Sequence, residues 1–557
     1  MKPSDTDQTP IGIPSVADVT ETNAPEPTQL SNRDRTVAKA SLIMMAAILL
    51  SRVLGQFRDT VISALFGLNA NTDVYRSAFA LPDVLFFLIA GGALSSSFIP
   101  VFSSYLSKGE DEEAWKVFSV VATVMAIVLV VVIILCEIFA RPLVGILRNG
   151  LTPQQLDQTA FLTRIVLPSQ FAFFLGALMF ATLYTRQHFL IPALGPNVYN
   201  LGIIIGGILL ARFANAGITG FAIGALVGAL IGNLVIPLIA LRKLGIHYRW
   251  SLDIHHPGVK RVGQLMLPVI LGLSLPGIYG LINGFHASYL KPGSISALDQ
   301  ANRLMQAPLG IFGQSLAIAV FPTLSLLAAQ QNFTAYKSTL SRALRNVFFL
   351  TIPVSIALII FSLDIVRVLF EHGKFKSADS SMTAIALIYY CVGISAWSLL
   401  AIIQRSFYAV QDTKTPVIIG TITTILFFPL SYYLAQWMDH SGLAFATSIA
   451  AVIQAVWLIW AFNRKIGGVG IGNLMLGFSK TLVAGAVMAV FCYYTRGQIL
   501  HLAEHRHLTP FFVSVFVLLI SGGLGTLIFL LMARLMKMEE LSSAMQLLKR
   551  RKAVTNS

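Results

Sequence analysis

The chain has 557 residues, of which 55% are hydrophobic and 12% charged, with a mean hydropathy of +0.74. Soluble domains carry about 25% charged residues, so this composition excludes a soluble globule and specifies an all-α polytopic membrane protein. The net charge of +15 does not point to nucleic acid, because the basic residues stand singly or in pairs between apolar runs, as the positive-inside bias arranges them.

Residues 1–36 are rich in Pro, Thr, Ser, Asp and Asn and hold no apolar stretch of signal-peptide length, so they are expected to form a disordered tail left in the cytoplasm. Apolar runs of at least eighteen residues then predict about fourteen transmembrane helices. They lie near 38–63, 74–106, 115–140, 158–185, 192–213, 218–241, 261–290, 297–328, 338–366, 380–409, 415–436, 441–463, 474–495 and 509–536. Tails and alternate loops on the amino-terminal side hold about 26 Lys and Arg against about 10 opposite, which predicts both termini in the cytoplasm. Arg52, Arg58, Arg76 and Arg303 fall outside that count.

The first helix carries the unusual charges. Ser-Arg-Val-Leu-Gly-Gln-Phe-Arg-Asp (51–59) extends the apolar run Ala40 to Leu50 and takes Arg52, Arg58 and Asp59 to membrane depth. A guanidinium in hydrocarbon costs at least about 2.5–3.5 kcal/mol, so it marks a wet cavity or a partner. At the helical period Arg52, Gly55 and Asp59 share one stripe and Arg58 lies on another. The alternative is a helix end whose arginines snorkel to the interface. In the second helix Asp73, Arg76 and Asp83 share a face, and Asp73 and Arg76 have the i, i+3 spacing at which side chains meet. That face predicts a cavity wall; alternatively Asn71-Thr72-Asp73 is a helix N-cap at the edge of the hydrocarbon. Arg303 lies in Asp299-Gln300-Ala301-Asn302-Arg303, with two acceptors within one turn.

The chain repeats itself. Tyr184-x-x-Gln187-x-x-x-x-Pro192 recurs as Tyr408-x-x-Gln411-x-x-x-x-Pro416, and Phe98-Ile99-Pro100 resembles Val320-Phe321-Pro322. Both offsets span six predicted helices, an even number that preserves direction. Two parallel six-helix lobes follow, with boundaries at 37–245 and 246–466, then helices 13 and 14 (467–540) and a basic cytoplasmic tail (541–557). In that register Arg303 falls near position 81, so both lobes contribute guanidinium groups to one central cavity. Arginine presents a planar fork to phosphate oxygens, which points to a phosphate or pyrophosphate head group.

The remaining motifs are positional. Arg186-Gln187-His188 and Gln411 to Pro416 read as cytoplasmic hinges, and Glu371-His372-Gly373-Lys374-Phe375 as a short external turn with a solvated charge run. His255-His256-Pro257 lacks a third ligand at helical spacing, so no metal is expected. Gly467 to Gly472 has the glycine spacing of dinucleotide loops but no preceding strand. Cys136, Cys391 and Cys492 read as inert buried thiols. No ATP-binding or catalytic motif is evident, and no cofactor is expected.

Ser51-Arg52-Val53-Leu54-Gly55 with Arg58-Asp59, Thr72-Asp73, Leu81-Pro82, Phe98-Ile99-Pro100, Arg303-Leu304-Met305, His372 to Phe375 and Gln411-Asp412-x-Lys414-Thr415-Pro416 together resemble the MurJ (MviN) lipid II flippase family. The likeness runs in order from about 38 to 536. It implies the multidrug/oligosaccharidyl-lipid/polysaccharide exporter fold, with helices 13 and 14 forming a groove for a polyprenyl tail. It further implies a transporter rather than an enzyme, in the bacterial inner membrane, with lipid II as substrate, membrane lipids as partners, cell-wall synthesis proteins as possible partners, and a monomeric state. By the resemblance Arg52, Arg58 and Arg303 match required cavity arginines, and Asp59 and Asp73 matching acids. Phe86 and Phe87 stand where the family often has a basic residue, Gly91 where it often has an acid, and Asn302 replaces the acid before Arg303; Arg76 is expected to supply the missing charge. Some relatives bind sodium through an acid where this chain has Asn283. The competing readings are a flippase for another polyprenyl-linked glycan and an intramembrane enzyme acting on lipid pyrophosphates.

Overall fold

The structure is a computed structural model and describes residues 32–89, 93–504 and 508–542. Residues 1–31 of the expected amino-terminal tail, Gly91 and the basic run Lys549 to Lys552 lie outside the described residues, whereas residues 32–36, expected as part of that disordered tail, form the first turns of a helix. Among the described residues every regular element is helical. The first half contains α1 (Asn32–Phe66), α2 (Ala70–Ser77), α3 (Ala80–Ile89), α4 (Ala93–Ser107), α5 (Asp111–Ile138), α6 (Ala140–Leu147), α7 (Pro153–Val166), α8 (Ser169–Thr185), α9 (Leu190–Phe213), α10 (Thr219–Ala229) and α11 (Ile236–Lys243). The second contains α12 (Pro257–Ala287), α13 (Ser294–Pro308), α14 (Ser315–Ala329), α15 (Phe333–Ile360), α16 (Ser362–Phe370), α17 (Ser377–Cys391), α18 (Ile394–Ala409) and α19 (Lys414–Ile466). α20 (Ile471–Glu504), α21 (Pro510–Phe516) and α22 (Gly522–Leu535) follow.

Among the described residues nine helical runs are long and apolar enough to cross a bilayer, or ten if α17 and α18, which meet at 43°, form one bent span. The sequence predicts about fourteen, and the difference lies partly in how helices join. α19 runs for 53 residues, about 80 Å of helix against about 30 Å of hydrocarbon, and holds two expected spans on either side of Asp439, where φ is +52°. Conversely the expected second span is divided among α2, α3 and α4, of 8, 10 and 15 residues.

The duplication is written in the backbone. Gln187 and Gln411, 224 residues apart, both adopt the left-handed conformation, with φ of 61° and 59°. Each turn closes in the same way: the Gln187 and Gln411 N–H groups donate to Tyr184 and Tyr408, and the next N–H groups, of His188 and Asp412, donate to Leu183 and Phe407. This is the 6→1, 5→2 pair that satisfies the last carbonyls of a helix. Likewise α5 and α15, each of 28 residues, start 222 residues apart at 111 and 333, and end on Phe139 and Phe361 in nearly the same conformation. Each copy of the glutamine turn carries an ion pair, Arg186 with Asp111 at the first and Lys465 with Asp412 at the second. Burial pushes the Asp412 carboxyl up, but hydrogen bonds from Lys465 and from the Thr415 N–H and hydroxyl outweigh it and hold it at about 2.

Packing within the first half relies on missing side chains. A Cβ placed on Gly202 or Gly206 of α9 falls 2.4 or 2.8 Å from the Cα of Gly228 or Gly224 on α10. Two membrane helices can touch backbone to backbone only where such small residues face each other. In the second half a buried core of α15, α18 and α19 surrounds Tyr336, Leu344, Ile403, Phe407 and Phe462. α12 is shared: Val262 packs with Phe98, Phe102 and Trp115 of the first half, whereas Tyr279 packs with Phe427 of α19. The terminal helices are fixed by Asp364 of α16, which accepts from Arg496 Nε of α20 at 2.7 Å and from the Ser514 hydroxyl of α21 at 3.0 Å.

Candidate functional site

A cavity of about 730 Å³ lies between the halves. α1, α2, α3 and α9 of the first half face α12, α13 and α18 of the second across it. Its charged wall is a closed ring. Asp59 of α1, 2% exposed, accepts from Arg58 Nη2 at 2.9 Å and Arg76 Nη2 at 3.2 Å, with Arg303 Nε 3.5 Å away. Asp299 completes it, 2.9 Å from both Arg76 Nη1 and Arg303 Nε. Arg58 Nη1 also donates to Asn200 Oδ1 of α9 at 3.0 Å. The ring therefore ties α1 and α2 of one half to α13 of the other. Arg76 is almost buried at 8% exposure, while Arg303 at 45% faces the open volume.

The sequence placed most of these residues together and misassigned some contacts. Arg58, expected on a different stripe from Asp59, reaches the same site because its long side chain folds back along the helix onto the neighbouring carboxylate. Gly55 does face a polar neighbour, with the Asn200 amide 3.8 Å from where its Cβ would stand. Arg52 lies apart: it is exposed and does not line the cavity, and its guanidinium lies across the bare face of Gly310 in the π-helical turn Leu309–Gln314. Asp83 lines the cavity, and among the described residues its carboxylate makes no hydrogen bond or close ion pair. Arg76 and Asp83 both line the cavity as the wheel predicts, but Asp73, on α2 with Arg76, does not, because its carboxylate is taken by backbone of the other half.

Asp73 instead caps a helix of the other half. Its two oxygens accept the backbone N–H groups of Gly293 at 2.6 Å and Ser296 at 2.8 Å, at the start of α13. The N-cap of its own helix is Asn69, in a reciprocal box with Thr72. Further bonds cross at this same end of the molecule, where α1 finishes and α13 begins. Gln300 Nε2 donates to the Ser63 hydroxyl, the Thr60 hydroxyl to Leu369, and the Lys374 N–H to Ala64. The segment Glu371 to Phe375, expected as a solvated turn, is part of this latch: Phe375 is 1% exposed and Gly373 takes φ of +60° against Ala64.

Two cavity groups escaped the sequence reading. Asp299 was visible only as an acceptor for Arg303, and its bond to Arg76 needs the two halves to be docked. Arg148, at the end of α6, was counted among outer-loop residues, yet it is 5% exposed and lines the cavity. The repeat held a signal: 222 residues on stands Phe370, a fully buried core residue.

Elsewhere His256 accepts the Gly258 N–H to start α12 and meets Glu113 at 2.7 Å. Asn283 Nδ2 donates to Thr447 at 2.9 Å, and its buried Oδ1 has no partner. The three cysteines are buried.

The family model described as lipid II flippase MurJ matches residues 62–508. The chain is 28% identical to the probable lipid II flippase MurJ of Vibrio cholerae serotype O1, over 82% of this chain and 88% of that protein. It is 29% identical to the lipid II flippase MurJ of Burkholderia cenocepacia, over 77% of this chain and 84% of that one. Among solved structures it is similar to a lipid II flippase MurJ in an inward closed conformation, with TM-score 0.74 and 27% identity over 89% of this chain and 98% of that chain. An inward-facing multidrug resistance MATE family transporter of the MOP superfamily, at 12% identity and TM-score 0.63 over 76% of this chain and 98% of that one, shares the fold alone. A match across most of the chain, on a fold with two repeated halves around an arginine-lined cavity, makes this protein a member of the lipid II flippase MurJ family.

Proposed function

We propose that the chain is a lipid II flippase, carrying the undecaprenyl-pyrophosphate-linked peptidoglycan precursor from the cytoplasmic to the outer leaflet of the bacterial inner membrane. The observation that carries this reading is the ring in which three guanidinium groups from both halves share the carboxylates of Asp59 and Asp299 inside one cavity. A pyrophosphate with its sugar-peptide head must pass about 30 Å of hydrocarbon while its chain stays in lipid. Guanidinium forks in a wet cavity replace the head group's water with charge-assisted hydrogen bonds.

The carboxylates decide that binding does not become trapping. In the empty cavity each arginine of the ring is already paired, so an arriving phosphate exchanges one anionic partner for another and leaves by the reverse exchange. Half-exposed Arg303 is the first contact; Arg58 and Arg76 are reached as the lobes close. Arg52 serves the approach and Asp83 competes for the same guanidinium groups. Asp73 acts on access rather than on the ligand, by holding α13 against the first lobe.

The lobes are residues 37–245 and 246–466, with both termini in the cytoplasm, so the latched end faces outward. The apolar surface of α20 to α22, with Val490, Leu519 and Leu527 exposed, suits a polyprenyl tail. The test is a vesicle assay of lipid II translocation by the purified full-length protein, with and without an imposed membrane potential. Translocation no faster than in protein-free vesicles under both conditions would overturn the reading; complementation of a strain depleted of its lipid II flippase separates it from export of another glycan.

A further inference from the structure

We propose that Arg148 is a further anion-binding residue of the cavity, at its latched end, taking pyrophosphate oxygens of the head group after the ring has admitted them. The inference rests on the cavity being a lipid-pyrophosphate site. Arg148 Nη1 donates to the carbonyls of Leu147 at 2.8 Å and, across the lobes, of Leu281 at 3.4 Å, while its buried Nε has no partner. Among the described residues it forms no ion pair. Carbonyl dipoles hold a guanidinium in place without neutralising it, and a buried charge in that condition is costly until an anion arrives.

Counting charges sharpens the point. Four arginines, Arg58, Arg76, Arg148 and Arg303, stand against three carboxylates, Asp59, Asp83 and Asp299, which leaves one positive charge in excess; Asp59 and Asp299 are shared by the three arginines of the ring, and Arg148 has only the longer-range charge of Asp83, without contact. Its place is built for it. The guanidinium lies on α12 at Gly284, where a Cβ would stand 2.4 Å from its Cζ. Gly284 is one turn from the end of α12 at Ala287, whereas Arg303 lies nine residues, about 13 Å, into α13 from the same end. A phosphate moving toward the latched end thus leaves guanidinium groups in contact with carboxylates for one that no carboxylate touches.

The test titrates full-length protein in lipid nanodiscs with farnesyl pyrophosphate and with farnesol, the same type of chain without the anion. Loss of a charged hydrogen bond predicts that Arg148→Gln weakens farnesyl pyrophosphate binding about tenfold or more and leaves farnesol binding unchanged. Arg148→Lys, which keeps the charge, stays within about threefold of wild type. Wild-type affinity in a monodisperse Arg148→Gln protein overturns the proposal, and so does an equal loss of farnesol, which marks a packing role. Arg303→Ala is run beside it: if that variant loses the pyrophosphate and Arg148→Gln does not, the proposal fails and the cavity reading stands. If neither loses it, the cavity reading itself fails.

Discussion

Asp73→Asn removes one charge from the seam between the lobes and changes almost nothing in shape. In the native protein both carboxylate oxygens accept backbone N–H groups at the start of α13, and the side chain is 4% exposed. An amide can present only one acceptor there, so one charge-assisted hydrogen bond, of about 1.5–3 kcal/mol, is lost. The favourable interaction of an anion with the helix N-terminus, about 0.3–1 kcal/mol, goes with it. The sum, about 2–4 kcal/mol, shifts the equilibrium between latched and open lobes roughly thirtyfold to several hundredfold. The assay is pulsed dipolar spectroscopy between spin labels at Asn71 and Lys291, two exposed positions, each two residues along the chain from one partner of the Asp73–Gly293 bond. Wild type gives one short distance, and Asp73→Asn adds a longer population. Identical distance distributions in the two proteins would refute the reasoning, since the remaining crossing bonds of Gln300, Thr60 and Lys374 would then hold the end shut unaided.

Arg303→Ala abolishes lipid II translocation in vesicles while the protein stays folded in the membrane, because the most exposed guanidinium of the ring is gone; wild-type transport would count heavily against the ring as the anion receptor. Arg76→Ala opens two ion pairs, to Asp59 and Asp299, and lowers transport at least tenfold; unchanged transport removes Arg76 from the site. Gly284→Ala pushes the Arg148 guanidinium off α12 at a cost of about 1–3 kcal/mol, so pyrophosphate-lipid binding falls between wild type and Arg148→Gln, as titration will read. The Asp412 carboxyl is held at about 2 in the folded protein, below its unfolded value of about 3.9, so its contribution to stability is present above pH 4 and lost as pH falls toward 2. Asp412→Asn accordingly melts lower than wild type at pH 7, and the gap closes near pH 2; a gap independent of pH would assign the difference to something other than the carboxylate.

The duplication was legible in sequence because it fixes backbone geometry at short range: a left-handed glutamine followed by a proline five residues on is a local signal that survives change in the apolar faces around it. The arginines were legible for a different reason, the high cost of placing them in an apolar run. What stayed hidden depends on docking. Asp73 looks like a partner for Arg76 three residues away until the N–H groups at the start of α13 arrive from the other half and take its carboxylate. Asp299 looks like a helix-surface acid until Arg76 arrives from the other half. Arg148 looks like a loop residue because nothing in its neighbours along the chain shows that α12 will cover it. Arg52 was misplaced by the opposite error, since periodicity gives a direction from the helix axis and not the identity of what stands there.

The contact of α9 with α10 has a mechanical corollary. Where backbone meets backbone there are no rotamers to readjust, so the hairpin behaves as a stiff beam whose deformation would strain covalent geometry itself. Asn200 is mounted on that beam: it braces Arg58 through its Oδ1 and the Ser51 carbonyl through its Nδ2. Rigidity generated far from any charge is thereby delivered to the aim of a single guanidinium, and a methyl group inserted at Gly206 or Gly224 would be felt at Arg58 as a change of pointing rather than a loss of contact.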